Sequence, residues 1–375
     1  MNAPLWRTQA RRTRASPAIS GDVCGCRQTN FAGCSSVAPR VEGAAWRDEE
    51  VERGLGLPLQ FYRARSPEEM NAQNQARYVK TGNRIWSHKS VLALLDSVNG
   101  TADPETLICD HARALVAQAM ALRWPGPPFD PKILAGLRDI VVEPTDENIG
   151  ADARILARPD GSLLIQYDPT KATARVNFSI CHEIVHTFFP DCFETIRHRH
   201  GQYHRNYELE CLCDLGAAEL LMPHEPFQRD LASLGVSLNS VRELTMRYAA
   251  SGEAVLIRIA QLSSNPCAAV FLSEKLKPVQ ERAAQTKEFD FGLPAVAPKL
   301  RVDYVRPTEA FSTFIPAHKS LPDDSVAYRC LRNNDIEEAV EQWEIPGFGL
   351  WRVQAVRLPS FTGSPRRVAA LVVAS

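Results

Sequence analysis

Residues 182–186 read His-Glu-Ile-Val-His, and no other stretch of the chain concentrates as much chemistry. Histidines at i and i+4 lie on one face of a helix, so both imidazoles can reach a single metal ion. A glutamate next to the first histidine can stand at the metal's open position and act as a base. Each residue of this HExxH pattern therefore has a mechanical reason to be there. The pattern points to metal-assisted hydrolysis, with zinc as the expected ion.

A catalytic zinc takes three protein ligands and keeps one position for water. His182 and His186 supply two, so a third has to come from downstream. Glu210 is the choice, because Asp214 follows it at i+4 on the same helical face. Glu210 would ligate the metal while Asp214 accepts a hydrogen bond from the far nitrogen of a ligand histidine and fixes its tautomer. Glu208 competes and ranks lower, since the residue four positions on is Leu212. Glu183 is read as the general base that takes the water proton and delivers it to the leaving amine. The oxyanion needs a further donor. Tyr203, His204, Arg205 and Tyr207 are candidates by position, with Tyr203 and His204 leading. An extended substrate could pair with an exposed strand edge, for which Leu163–Tyr167 is the candidate. Cys211 and Cys213 read as small core residues. Cys24, Cys26 and Cys34 cluster early, at a spacing that matches no common zinc module.

These residues need elements to hold them. Ile108, Ala112, Leu115, Ala119 and Leu122 recur at helical spacing, and Trp124-Pro-Gly-Pro-Pro ends that helix. Asp130-Pro131 starts a short helix through Leu137, and Ile140–Glu143 reads as a strand. Arg154–Ala157 and Leu163–Tyr167 flank Pro159-Asp160-Gly161, which predicts a hairpin. On the pentad helix, Phe178, Cys181, Val185 and Phe188 form an apolar stripe that leaves His182, Glu183 and His186 to one side, and Pro190 stops it. A polar loop rich in His and Arg follows, then a second helix marked by Leu209, Leu212, Leu220 and Leu221 and ended by Pro223. Residues 236–263 predict two short helices, with Ser237 as an N-cap. A helix-turn-helix is conceivable there, but no basic recognition face stands out, so a supporting helical pair is the better reading.

Taken together, Arg175…Phe178-Ser-Ile-Cys-His-Glu-Ile-Val-His186, Glu210-Cys-Leu-Cys-Asp214 and Ala217-Ala-Glu-Leu-Leu-Met-Pro223 resemble the ImmA/IrrE family of metallo-endopeptidases. The resemblance covers about residues 105–265. It implies an α+β, gluzincin-like zinc peptidase core in which the metal lies between two helices beside a small twisted sheet. It also implies regulatory proteolysis in a bacterial cytoplasm, since members act on helix-turn-helix repressors in mobile-element control or stress response. The chain departs from the family pattern at Cys181, where a small alanine is usual, at Gly216, where an aromatic is usual, and at Thr187-Phe-Phe-Pro190, which alters the expected pocket wall.

The chain has 375 residues, so more than one domain is expected. The expected organisation is a disordered tail over 1–45, an extension of unclear role over 46–104, and the peptidase core over 105–235. A helical extension over 236–265 and a separate, mixed α+β or β-rich domain over 268–375 follow. The net charge of −1 gives no global argument for nucleic acid or membrane, and no apolar run is long enough to span a bilayer. Direct DNA binding stays open. The expected partner is a protein substrate, a transcriptional repressor foremost, and the expected cofactor is Zn2+. Two other readings stand beside this one: a regulatory binding module that keeps the metal fold without cutting, and a zinc hydrolase of a non-peptide amide.

Overall fold

The structure is a computed structural model. It describes residues 79–374 apart from 82–83, 99–101, 125, 199–206, 286–296, 334 and 360–364. The tail over 1–45, with Cys24, Cys26 and Cys34, lies outside the described residues, as do Tyr203, His204 and Arg205.

The core of the site is a three-stranded sheet, β3 (Ile140–Pro144), β4 (Ala153–Ala157) and β5 (Leu163–Tyr167), in the order β3-β5-β4. The β4–β5 hairpin is antiparallel, and its turn uses Gly161 at φ 88°, a left-handed conformation that favours glycine. β5 also pairs in parallel with β3 along its whole length. This corrects the expectation for the substrate-pairing edge. Leu163–Tyr167 is the central strand, and the edges are β3 and β4.

Helix α4 (Thr173–His186) packs between this sheet and α6 (Tyr207–Leu221). Being covered on two sides, it buries Val176, Ile180, Cys181, Ile184 and Val185, a wider apolar surface than a single stripe. Helix α2 (Pro104–Ala121) also packs against α6. Asp103 caps α2 by accepting from Thr106 N, with Pro104 opening the first turn. Gly216 makes the three-helix contact close. A Cβ there would stand 2.7 Å from a Val185 methyl and 2.8 Å from an Ile108 methyl. No aromatic fits at this position, which accounts for that departure from the family pattern.

Before α2, the chain forms a hairpin, β1 (Val79–Thr81) and β2 (Arg84–Trp86), and α1 (Lys89–Ser97). Trp86, Val91 and Leu94 join the main core, so this part of the extension is built into the peptidase core. Short helix α3 (Pro131–Gly136) is capped by Asp130. The segment after Pro190, expected as a loop, contains α5 (Cys192–His198). Its apolar pair Cys192 and Ile196, four apart, is buried. The histidines and arginines that follow masked this short period.

After α6 come α7 (His224–Leu234), α8 (Leu238–Tyr248) and α9 (Gly252–Leu262). Ser237 caps α8 as expected, accepting from Ser240 N at 3.1 Å. Leu244, Val255, Leu256 and Ile259 are buried in the main core, and α9 is fastened to α6 by a buried Arg258–Glu219 ion pair. The pair thus supports the core.

The C-terminal region is a five-stranded antiparallel sheet in the order β7-β6-β10-β9-β8, from β6 (Cys267–Lys275), β7 (Lys299–Pro307), β8 (Glu337–Glu341), β9 (Trp351–Leu358) and β10 (Arg367–Val373). Helix α10 (Pro278–Gln285) follows β6, and α11 (Val326–Asn333) lies between β7 and β8. Successive side chains of a strand point to opposite faces. Ala269, Phe271, Ala369 and Leu371 face the main core, while Val270, Leu272, Ala370 and Val372 face a second core with α11, Trp343 and Phe348. Burial on both faces explains why β6 and β10 read as continuous apolar runs. No helix among the described residues is long and apolar enough to cross a membrane.

Candidate metal centre

His182 and His186 stand one turn apart near the C-terminal end of α4, with ring centroids 4.9 Å apart. Glu183 is 8% exposed, and His186 5%, so both functional types sit in a water-poor setting. The helix is ended by Arg138, whose guanidinium donates to Thr187 Oγ1 at 2.8 Å and to Thr187 O at 2.9 Å. This guanidinium also lies over the Phe188 ring, 5.1 Å from its centroid. The Thr187-Phe-Phe segment therefore forms a braced wall. A small cleft beside His186 is bounded by Phe189, Ile196, Leu209, Ser90 and Asp191. Asp191 accepts there from Ser90 Oγ at 2.9 Å and Thr195 Oγ1 at 3.2 Å.

Helix α6 presents its residues to these rings. Asp214 Oδ1 lies 2.9 Å from His182 Nδ1. A carboxylate can only accept, so Nδ1 carries a proton and Nε2 is the nitrogen left to face a metal. Glu210 Oε2 lies 3.2 Å from that Nε2. Four donors arranged tetrahedrally around zinc at about 2.0–2.2 Å stand roughly 3.3–3.6 Å from one another. The His182–Glu210 spacing is close to that of two ligands of one ion. Burial works against a charged His182, yet the Asp214 and Glu210 carboxylates outweigh it and hold its pKa well above the usual value. A pocket that stabilises a positive charge at this nitrogen also suits a divalent cation, which would displace the proton. The donor set fits a metal.

Glu208 has another task. Its carboxylate accepts from Ser87 N at 2.8 Å, Ser87 Oγ at 2.7 Å and His88 N at 2.8 Å. It clamps the chain immediately before α1. Tyr207 is 50% exposed at the start of α6.

Sequence reasoning missed Cys213. It is fully buried, as expected of a core residue, but its Sγ lies 3.3 Å from His186 Nδ1. Among the described residues, ligand-capable atoms of His182, His186 and Cys213 lie within 4.8 Å of one another. The signal was its position directly before Asp214, on the face of α6 turned to α4. Reading Cys213 as a small core residue accounts for its burial but not for its contact with His186.

Residues 138–260 match the family model Peptidase_M78, the IrrE N-terminal-like domain. The matched stretch runs from the arginine that braces α4 into α9 and contains His182, Glu183, His186, Glu210, Cys213 and Asp214. Over these residues the chain is similar to a metallopeptidase domain, a family that points to a metal ion. No curated protein matches the chain. Among solved structures, a Mycobacterium tuberculosis transcriptional regulator resembles it at a TM-score of 0.48 and 14% identity, covering 76% of this chain and 80% of that one.

Proposed function

We propose that this chain, which carries an IrrE N-terminal-like peptidase domain, is a zinc-dependent endopeptidase that cuts a protein regulator, foremost a helix-turn-helix transcriptional repressor. The observation that carries the reading is the approach of α6 to the pentad helix. Glu210 stands at His182 Nε2 while Asp214 engages His182 Nδ1.

His182, His186 and Glu210 would hold the zinc. When bound, zinc polarises the scissile carbonyl and lowers the pKa of a bound water. Glu183, on the same helix and shielded from bulk water, accepts the proton of the attacking water on its carboxylate. It then passes that proton to the leaving amide nitrogen as the C–N bond breaks. Asp214 keeps the His182 ring in one orientation and one tautomer throughout. Tyr203 and His204, in the segment between α5 and α6, are assigned to hydrogen-bond the oxyanion. A peptide substrate binds extended along β4, an edge strand that packs against both α4 and α5. Phe189 and Ile196 line the cleft beside His186 and would receive a neighbouring side chain.

The test is incubation of the purified chain with repressor proteins encoded near its gene, with and without a chelator, followed by mass spectrometry of fragments. Discrete fragments that vanish with chelator support the reading. Release of the repressor from its operator without any cleavage would instead favour a non-cutting regulatory module.

A further inference from the structure

Helix α6 places two consecutive side chains, Cys213 and Asp214, against the two histidines of α4. Asp214 meets His182 Nδ1 at 2.9 Å, and Cys213 meets His186 Nδ1 at 3.3 Å. The same ring nitrogen is engaged in both cases. A histidine that binds a metal through one nitrogen donates through the other, and the partner of that donor sets the tautomer and the ring angle. We propose that Cys213 is the positioning residue of His186: its sulfur accepts the Nδ1 proton and leaves Nε2 facing the metal, as Asp214 does for His182. This inference rests on the metal-centre reading above and adds to it the residue that orients the second histidine.

The surroundings support positioning over ligation. Cys213 is fully buried on the packed face of α6, and its sulfur meets Nδ1 of His186, the ring nitrogen that Asp214 meets on His182. Glu210 already faces His182 Nε2 at 3.2 Å. A sulfur ligand in addition would close the coordination shell and remove the water position that hydrolysis needs. A buried sulfur that only accepts a hydrogen bond keeps that position open. Sulfur is a weak acceptor compared with a carboxylate, so the two histidines are held unequally, His182 firmly and His186 more loosely.

Three measurements on the full chain test the proposal. First, zinc affinity is measured by chelator competition for wild type, Cys213→Ala and Cys213→Ser, with melting of the metal-free forms as a check on folding. Loss of a partner behind a ligand histidine weakens metal binding by roughly 10-fold or more, and the hydroxyl of Cys213→Ser is expected to restore it to within about threefold of wild type. Second, the cobalt-substituted wild type is expected to lack a near-ultraviolet sulfur-to-cobalt charge-transfer band. Third, nitrogen NMR of zinc-loaded wild type is expected to find the His186 proton on Nδ1. Equal affinity of wild type and Cys213→Ala overturns the proposal. So does a sulfur-to-cobalt band in wild type that disappears in Cys213→Ser, because Cys213 is then a ligand. A proton on Nε2 of His186 overturns it whatever the variants do, so the test survives a variant that fails to fold. A wild type that takes up no metal at all is a different result, and it overturns the metal-centre reading together with this one.

Discussion

Asp214 Oδ1 stands 2.9 Å from His182 Nδ1, across the contact between α6 and the pentad helix. The carboxylate is only one-fifth exposed, so the bond is little diluted by water. Asp214→Ala should leave the fold intact and weaken metal binding by about 10–100-fold, the usual effect of removing the partner behind a metal-binding histidine. Metal competition titrations check this, and an unchanged affinity would count against any role for Asp214 in holding the ring.

The two glutamates at the start of α6 should separate cleanly. Glu208→Gln weakens the clamp on Ser87 and His88, and the part-exposed setting limits the loss to about 1–2 kcal/mol of stability. It should retain metal. Glu210→Gln should lose metal with little change in the melting temperature of the metal-free form. Metal content and thermal melting of the two variants distinguish these outcomes, and the reverse pattern would exchange the roles assigned here.

Gly216 is a point of close approach between α6 and α4. Gly216→Ala adds a methyl where 2.7 Å separates its Cβ from Val185. Alanine favours the helix by about 0.5–1 kcal/mol, but overpacking of a rigid contact costs about 1–3 kcal/mol. A net loss is expected, together with weaker metal binding, because the displaced helix carries Glu210 and Asp214. Denaturant unfolding and metal titration report the two effects, and a stabilised variant would mean the helices yield easily.

Glu219 predicts an acid limit to stability. Its carboxyl is buried and desolvation pushes its pKa up, but Arg258 foremost, with His224 N and Arg113, holds it below the ordinary value of 4.5. A depressed folded pKa contributes stability above the unfolded value, and that contribution is lost as pH falls below 4.5 towards the folded pKa. Glu219→Gln should cost roughly 3 kcal/mol at neutral pH, since it leaves Arg258 buried without its charge partner. The gap in melting temperature between variant and wild type should narrow below pH 4.5. A gap that is constant with pH would show that the ion pair is not the source.

The site was legible in the sequence to the extent that it is local. His182 and His186 share a helical face by spacing alone, and Glu210 with Asp214 do the same on the next helix. The approach of Asp214 to His182 then follows from packing two such helices. Three features depended on contacts between distant segments and could not be read. Pairing of β5 with β3 made Leu163–Tyr167 a central strand instead of an edge. The use of Glu208 became visible only with α1 folded back onto α6. Cys213 looked like an ordinary core cysteine because burial and polar contact are not exclusive for a sulfur atom. The helix α5 was hidden by composition, since only Cys192 and Ile196 carry its apolar period.

In the proposed reaction Glu183 moves the proton at a zinc held by His182, His186 and Glu210. The most direct measurement compares wild type and Glu183→Gln for bound zinc and for cleavage of the regulator. About one zinc per chain is expected in both proteins, with fragments from wild type alone. Full cleavage by metal-free wild type, or cleavage by Glu183→Gln at the wild-type rate, would contradict it.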